Sequence, residues 1–215
     1  MNKRWVFFAG VVAAAIIVLG GGILLLRAIY ARAPQAIETA ARRPGPNSAG
    51  RADAKLLVEE YGALDCTACA QFHIETFEGL KGHIGSGKIR YVFHDVAPDA
   101  KARDASALVR CVREDDYLAF VDLLYRQQPR WTQAADTRAA LHEIGRIAGL
   151  SEDQISGCFA DKTIQARFAN ETADMGGVYS DPQKPMLIID EERYSGVMDW
   201  EGVEREIKRR LDGVN

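Results

Sequence analysis

The sequence predicts an α/β domain carrying an inserted helical block, preceded by one transmembrane helix. Three observations predict it. Trp5 to Leu26 is a run of 22 residues without charge or proline. Short apolar runs at 56–61 and 88–93 flank a stretch of helical period, which gives a β-α-β unit. Helical period then returns over about 99–174, before an apolar run at 186–189 and a last amphipathic stretch at 200–211.

At ~1.5 Å per residue, the first run forms a helix of about 33 Å, enough to cross a hydrocarbon layer of about 30 Å. A cleaved signal peptide competes with this reading, because Ala31-Arg32-Ala33 has the small-x-small form of a cleavage site. Signal h-regions run about 7–15 residues, so an uncleaved anchor is preferred. Lys3 and Arg4 lie before the span and Arg27 and Arg32 after it. That balance decides orientation weakly; residues 1–4 are taken as the cytoplasmic end. Residues 27–54 read as a flexible linker, rich in Ala, Arg, Pro, Gly and Ser around Pro44-Gly45-Pro46. The globular domain is expected over 55–213.

Charge divides along the same line. Residues 1–52 hold seven basic side chains and one acid, which leaves 20 basic and 29 acidic residues beyond them, net −9. An acidic domain is a poor partner for polyanions, so nucleic acid is not an expected ligand. Four cysteines in 215 residues are too few to staple a miniprotein.

Leu56 to Tyr61 is the first predicted strand. The stretch with Phe72, Ile74, Phe77 and Leu80 is a helix closed by Gly82, Gly85 and Gly87, and Lys88 to Phe93 is the second strand. A parallel pair joined by a crossover helix follows. Asp136 and Ser151 look like N-caps, and Ser151 with Gln154 makes a capping box; four or five helices are expected in this block. Met186 to Ile189 is a buried strand, Glu191-Glu192 a turn into Arg193 to Gly196, and Trp200 to Leu211 the closing helix. Without its helical block the order is thioredoxin-like.

Asp65-Cys66-Thr67-Ala68-Cys69 lies between the first strand and its helix. A thiolate is the nucleophile of disulfide exchange, and a helix N-terminus stabilises it with free N–H groups and the positive end of the macrodipole. Two intervening residues let the sulfurs close a small ring. Cys66 is expected exposed and attacking, Cys69 partly buried and resolving. The pair carries the electrons itself, so no cofactor is called for. Zinc is the competing reading, with His73 as a third ligand, but no second C-x-x-C or H-x3-H exists and His83 and His94 stand alone. No metal is expected, and His73 reads as a polar helix residue.

Glu60-Tyr61, Leu64-x-Cys66-x-x-Cys69-Ala70-x-Phe72-His73, the strand Lys88 to Phe93, Pro185 ahead of Met186 to Ile189, and Tyr194-Ser195-Gly196 together resemble the DsbA-like thiol–disulfide oxidoreductases, in particular their alpha-proteobacterial branch. The resemblance covers roughly 55–212. It implies a thioredoxin-like fold with an inserted helical domain, and oxidation of reduced cysteines in translocated proteins. It further implies a cis-proline at Pro185 that faces Cys66 and binds client backbone, beside Lys184. Glu60 matches the family's buried acid, a proton-transfer partner for Cys69; the alternative is a strand-edge carboxylate at the surface. The family often has Pro-His between its cysteines, where this chain has Thr67-Ala68. Loss of that histidine, with Asp65 directly before Cys66, predicts a higher Cys66 pKa and a weaker oxidant. Lys184 offsets this if it turns toward Cys66 and does nothing if it points to solvent.

Cys111 and Cys158 are each expected on a helix, as buried thiols or, in an oxidising compartment, as a structural disulfide. The resemblance implies the bridge, which some alpha-proteobacterial relatives also carry.

Three functions follow. The first is a membrane-anchored dithiol oxidase of moderate strength, in a bacterial inner membrane with its domain in the periplasm. It acts on reduced or misoxidised protein clients and is regenerated by a quinone-linked or other membrane redox partner. The second is a disulfide reductase or isomerase. The third is a tethered binding or assembly module for cysteine-containing clients.

Overall fold

The computed structural model describes residues 47–164, 166–168, 181, 184–196 and 198–213. The predicted span Trp5–Leu26 lies outside them. Among the described residues no helix is long and apolar enough to cross a membrane.

Among the described residues five strands form one sheet: β1 (Ser48–Ala49), β2 (Leu56–Ala63), β3 (Ile89–Val96), β4 (Met186–Ile189) and β5 (Glu192–Ser195), in the order β1-β3-β2-β4-β5. β2 is central and buried along all eight residues, which is why it reads as a nearly continuous apolar run. It pairs parallel with β3, from Leu56 opposite Ile89 to Ala63 opposite Val96. The crossover between them is α1 (Thr67–Gly85). β4 pairs antiparallel with β2, and β5 antiparallel with β4.

The sheet begins earlier than expected. Ser48 and Ala49 pair antiparallel with Val92 and Tyr91, so the end of the predicted 27–54 linker belongs to the sheet. Two residues carry no period, and the strand is held mainly by backbone bonds, including Phe93 N–H to the Asn47 carbonyl at 2.8 Å. The turn after β4 also differs by one position. Asp190 and Glu191, with φ of 43° and 69°, form it, and Glu192 already belongs to β5. Paired positive φ values mark the tight hairpin turn that suits the right-handed twist, and Asp tolerates that region. Asp190 is anchored as well, its Oδ1 accepting the Leu57 N–H at 3.0 Å.

α1 turns Cys69, Ala70, Phe72, His73, Thr76, Phe77 and Leu80 toward the core, the helical spacing read from the sequence. It runs through Gly82 and ends at Gly85. The last helix, α7 (Trp200–Gly213), buries Val203 and Ile207. Its Trp200 lies on Gly79, where a Cβ would come within 2.4 Å of the indole. The two helices approach this closely because residue 79 has no side chain.

The inserted block contains α2 (Ala100–Val109), a short 3-10 turn (Glu114–Asp116), α3 (Tyr117–Arg126), α4 (Gln128–Thr132), α5 (Thr137–Ile147) and α6 (Glu152–Ala160). Residues 162–164 and 166–168 are also helical. Asp136 caps α5 by accepting the Ala139 N–H at 3.0 Å, and Ser151 with Gln154 forms the full capping box of α6. Asp99 caps α2 in the same way, accepting the Ala102 N–H. Cys111 follows α2 in a turn rather than lying on a helix, and is bonded to Cys158 of α6. Trp131 is fully buried under α3, its indole N–H donating to the Leu124 carbonyl.

Candidate active site

β2 ends at Ala63, and the chain turns through Leu64 and Asp65 into α1. Cys66 is the N-cap, with extended backbone (φ −77°, ψ 115°). Its Sγ accepts the backbone N–H of Cys69 at 3.0 Å. The sulfur therefore sits at the positive end of the helix, with a donor already aimed at it. Cys66 and Cys69 are joined in a disulfide, their Cα atoms 5.1 Å apart.

One expectation fails here. Cys66 was expected to be exposed, yet both cysteines are 0 % exposed, and Thr67 is the exposed residue of the motif. An N-cap that closes a ring back onto its own first turn faces inward, and the inserted block holds the turn from the other side. Gln128 of α4, itself buried, donates from Nε2 to the carbonyls of Leu64 at 2.7 Å and Cys66 at 2.9 Å. The Tyr125 hydroxyl of α3 donates to the Ala63 carbonyl at 3.3 Å.

Gly62 forms the floor. A Cβ there would lie 3.6 Å from the Cys69 Cβ and 2.6 Å from the Tyr125 hydroxyl, so this strand position must be bare for both to sit over it. Two residues back on the same face of β2 stands Glu60, 0 % exposed. Glu60 is thus the buried acid and not a surface carboxylate. Its Oε1 and Oε2 lie 3.1 and 3.2 Å from His73 Nδ1, and Oε2 accepts the Tyr91 hydroxyl at 2.8 Å. Burial, and after it the Glu60 carboxylate, pushes the Tyr91 phenol far above its ordinary pKa, so Tyr91 remains a donor. His73 follows Cys69 by one helical turn as Glu60 precedes Gly62 by one strand repeat. The acid therefore lies one repeat along each element from the point where Cys69 sits over Gly62. His73 is turned to this carboxylate instead of toward the sulfurs. Among the described residues no cluster of His, Cys, Asp and Glu is arranged to hold a metal ion.

On the rim, Asp65 shares a hydrogen bond with the Asp99 carboxyl. Burial first, and then Asp99, raises the Asp65 pKa to about 6. Partial burial acts against ionisation of Asp99, but the Ala102 N–H and Asp65 outweigh it and hold Asp99 below the usual carboxylate range. The proton of the pair therefore resides on Asp65 at mildly acid pH.

Pro185 is buried directly before β4, and its carbonyl accepts the Gly196 N–H at 2.9 Å. Tyr61 pairs with Met186 in the β2–β4 ladder, so the same register sets Pro185 opposite Gly62, at the sheet end that carries the cysteines. The cis form is not found: no peptide bond among the described residues is cis, that between Lys184 and Pro185 included. An X–Pro bond favours trans by only about 0.5–1 kcal/mol, so residue type alone does not decide the isomer. Lys184 takes the solvent alternative. Its side chain is largely exposed and pairs with Asp181 at 3.1 Å.

Several functional neighbours gave no signal in the sequence. Gln128, Tyr125 and Tyr91 lie on other elements, and only the tertiary fold brings them to the site. Asp99 alone had one, as an Asp before a helical run.

The family model described as thioredoxin matches residues 43–209. Among curated proteins, the chain is 32% identical over 117 residues to a Rickettsia bellii protein provisionally described as a protein-disulfide oxidoreductase, covering 54% of this chain and 45% of that one. A Rickettsia typhi protein of the same description is 29% identical over 124 residues, covering 56% and 46%. The chain spans about half the length of the curated relatives it matches. Among solved structures, Wolbachia pipientis alpha-DsbA1 superposes with a TM-score of 0.70 at 22% identity, covering 78% of this chain and 91% of that one. Oxidised BdbD from Bacillus subtilis does so with 0.67 at 18%, covering 77% and 92%, and a protein-disulfide isomerase from Novosphingobium aromaticivorans with 0.66 at 20%, covering 78% and 99%. At these identities the likeness is one of fold.

Proposed function

This chain belongs to the thioredoxin family, and on that premise we propose that it is a membrane-anchored thiol–disulfide oxidoreductase acting on cysteines of translocated proteins, as a dithiol oxidase of moderate strength. The observation that carries this reading is the Cys66 sulfur at the N-cap of α1, accepting the Cys69 N–H and bonded to Cys69. Once the turn over the buried Cys66 opens, a client thiolate attacks its sulfur, and Cys69 leaves. A second client thiolate then attacks the mixed disulfide and releases Cys66, whose thiolate the helix N-terminus favours.

The setting is part of the proposal. Trp5–Leu26 anchors the chain in a bacterial inner membrane, with the domain on the periplasmic side and a quinone-linked or other membrane partner to reoxidise the pair. What supports it is the 22-residue uncharged run and the need of such chemistry for an oxidising compartment.

Reduction or isomerisation is the second reading, favoured by one feature: no histidine lies between the cysteines, and Asp65 stands beside Cys66. Redox titration of the 66–69 pair against glutathione separates the two. A potential toward about −120 mV supports the oxidase, one near about −270 mV the reductase. If the chain binds cysteine-containing clients but exchanges no disulfide with them, the tethered binding module replaces both.

A further inference from the structure

Beneath the redox pair, two buried acceptors face each other with no hydrogen between them. Glu60 receives the Tyr91 hydroxyl and faces His73 Nδ1 with both oxygens. A carboxylate only accepts, so Nδ1 carries the hydrogen. In the neutral imidazole that leaves Nε2 as a bare lone pair. Nε2 is buried without a hydrogen-bond partner, and so is Asp122 Oδ1, 4.0 Å away on α3. One added proton at Nε2 converts two facing acceptors into an ion pair. Asp122 itself reaches the surface. Its side chain is 22% exposed and its Oδ2 accepts Arg126 Nε at 2.8 Å. Around the imidazole stand Phe77 of its own helix, Phe93 of β3 and Tyr125 of α3, and Tyr91 of β3 donates to Glu60. Arg126 lies behind Asp122, with Glu78 3.8 Å from its guanidinium. The ring is thus packed among aromatic side chains, with Glu60 at Nδ1 and Asp122, which reaches the surface, facing Nε2.

We propose that His73 and Asp122 are the outer leg of a proton path that serves Cys69 during disulfide exchange, with Asp122 as its solvent gate. The proposal rests on the oxidoreductase reading. When a client thiolate attacks Cys66, the 66–69 bond breaks and its electron pair goes to the Cys69 sulfur. A buried thiolate is costly, and it is relieved when the His73 Nδ1 proton passes to the Glu60 carboxylate and on to that sulfur. Nε2 takes a replacement from solvent by way of Asp122, so Glu60 ends as the carboxylate it began as and His73 ends in its other neutral tautomer. The client dithiol supplies the electrons and ends oxidised. Reoxidation runs the same path outward. His73 and Asp122 touch no client atom; they are positioning residues that act through Glu60.

The test is single-turnover oxidation of a reduced dithiol peptide by the full-length protein, over about pH 5.5–8, with Asp122→Asn beside the parent. The Asp122 side chain reaches the surface, and a thermal melt of the variant checks that it folds. We expect exchange about tenfold slower near neutral pH, restored toward the parent rate by imidazole buffer, a small proton carrier that replaces the missing gate. His73→Gln is expected to be slow and to stay slow in imidazole. A folded Asp122→Asn that exchanges at the parent rate over the whole range, or is slow and indifferent to imidazole, overturns the path. A parent that exchanges no disulfide overturns the oxidoreductase reading and the path with it, so the two failures are distinct.

Discussion

Asp65→Asn isolates the charge nearest the attacking sulfur. Asp65 holds the proton of its pair with Asp99, and its pKa stands at about 6 against the usual 3.8. The native state thus binds more protons than the unfolded chain between these values. The sign follows directly. Stability is greatest below the unfolded value, falls as pH rises through about 6, and is level above. A shift of about two units corresponds to about 3 kcal/mol if fully realised, and to roughly half of that for a side chain still partly in water. The Asn amide can donate to Asp99 as the protonated carboxyl does, so the hydrogen bond survives without the charge. The variant should match the parent near pH 4 and exceed it by about 1.5 kcal/mol at pH 7, read from urea melts at both values. A second effect falls on the sulfur. Neighbouring charges about 7 Å apart, at an effective dielectric of about 20–40, repel by about 1–2 kcal/mol, so the Cys66 pKa of the reduced protein should drop by about one unit. Thiolate absorbance against pH reads it. If stability keeps the parent's fall between pH 4 and 7 and the thiolate titrates unchanged, the carboxyl is solvated and the electrostatic reasoning at the rim is wrong.

Gln128→Ala should cost about 1–3 kcal/mol in urea unfolding, because the buried Leu64 carbonyl loses its Gln128 donor while the Cys66 carbonyl keeps the Ala70 N–H. Gly62→Ala should cost about 1–3 kcal/mol, since the new methyl would lie 2.6 Å from the Tyr125 hydroxyl and must displace it; an unchanged melting point would refute that contact. Replacing Cys111 and Cys158 together by Ser opens a loop of 48 residues and should lower stability by ~4 kcal/mol on the chain-entropy account, checked by parallel urea melts. Asp190→Ala should lose about 1–2 kcal/mol, removing both the acceptor for Leu57 N–H and a residue suited to positive φ.

What could be read from the sequence were features whose cause is local. The caps at Asp136 and Ser151 are side chains bonding backbone three residues on, and the buried face of α1 is a repeat within one helix. The C-x-x-C pair announced itself through the strand before it and the helix after it. Features caused by distant chain were silent or misjudged. β1 exists because the β3 edge offers it backbone partners, so its two residues show no pattern. Cys66 was expected at the surface because its chemistry needs access; the structure closes its ring inward under a loop tied down by Gln128, 62 residues away. Glu60 could be a surface or a core residue by alternation alone. The partners that decide it, His73 and Tyr91, lie 13 and 31 residues on.

The inserted block therefore belongs to the redox centre and is more than an appendage. Its helix α3 supplies Tyr125 to the Ala63 carbonyl and Asp122 to the histidine under the sulfurs, and α4 supplies Gln128 to the carbonyls of Leu64 and Cys66. A strand that ends and a helix that begins within three residues leave carbonyls crowded around the N-cap, and free carbonyl oxygens near a thiolate would oppose it. Gln128 and Tyr125 donate to three of them, two of which also accept the N–H groups of Cys66 and Ala70, so the N–H groups of the helix start are left as the sulfur's electrostatic surroundings. Trp131, locked to Leu124 beneath α3, holds α4 in place for that bond. Loosening this packing should then act on the redox pair even with every residue of the C-x-x-C motif intact. Trp131→Phe, which keeps most of the volume but loses the indole donor, should raise the thiolate pKa of reduced Cys66 as well as lower the melting point. A variant less stable but unchanged at the sulfur would mean that the block supports the fold alone.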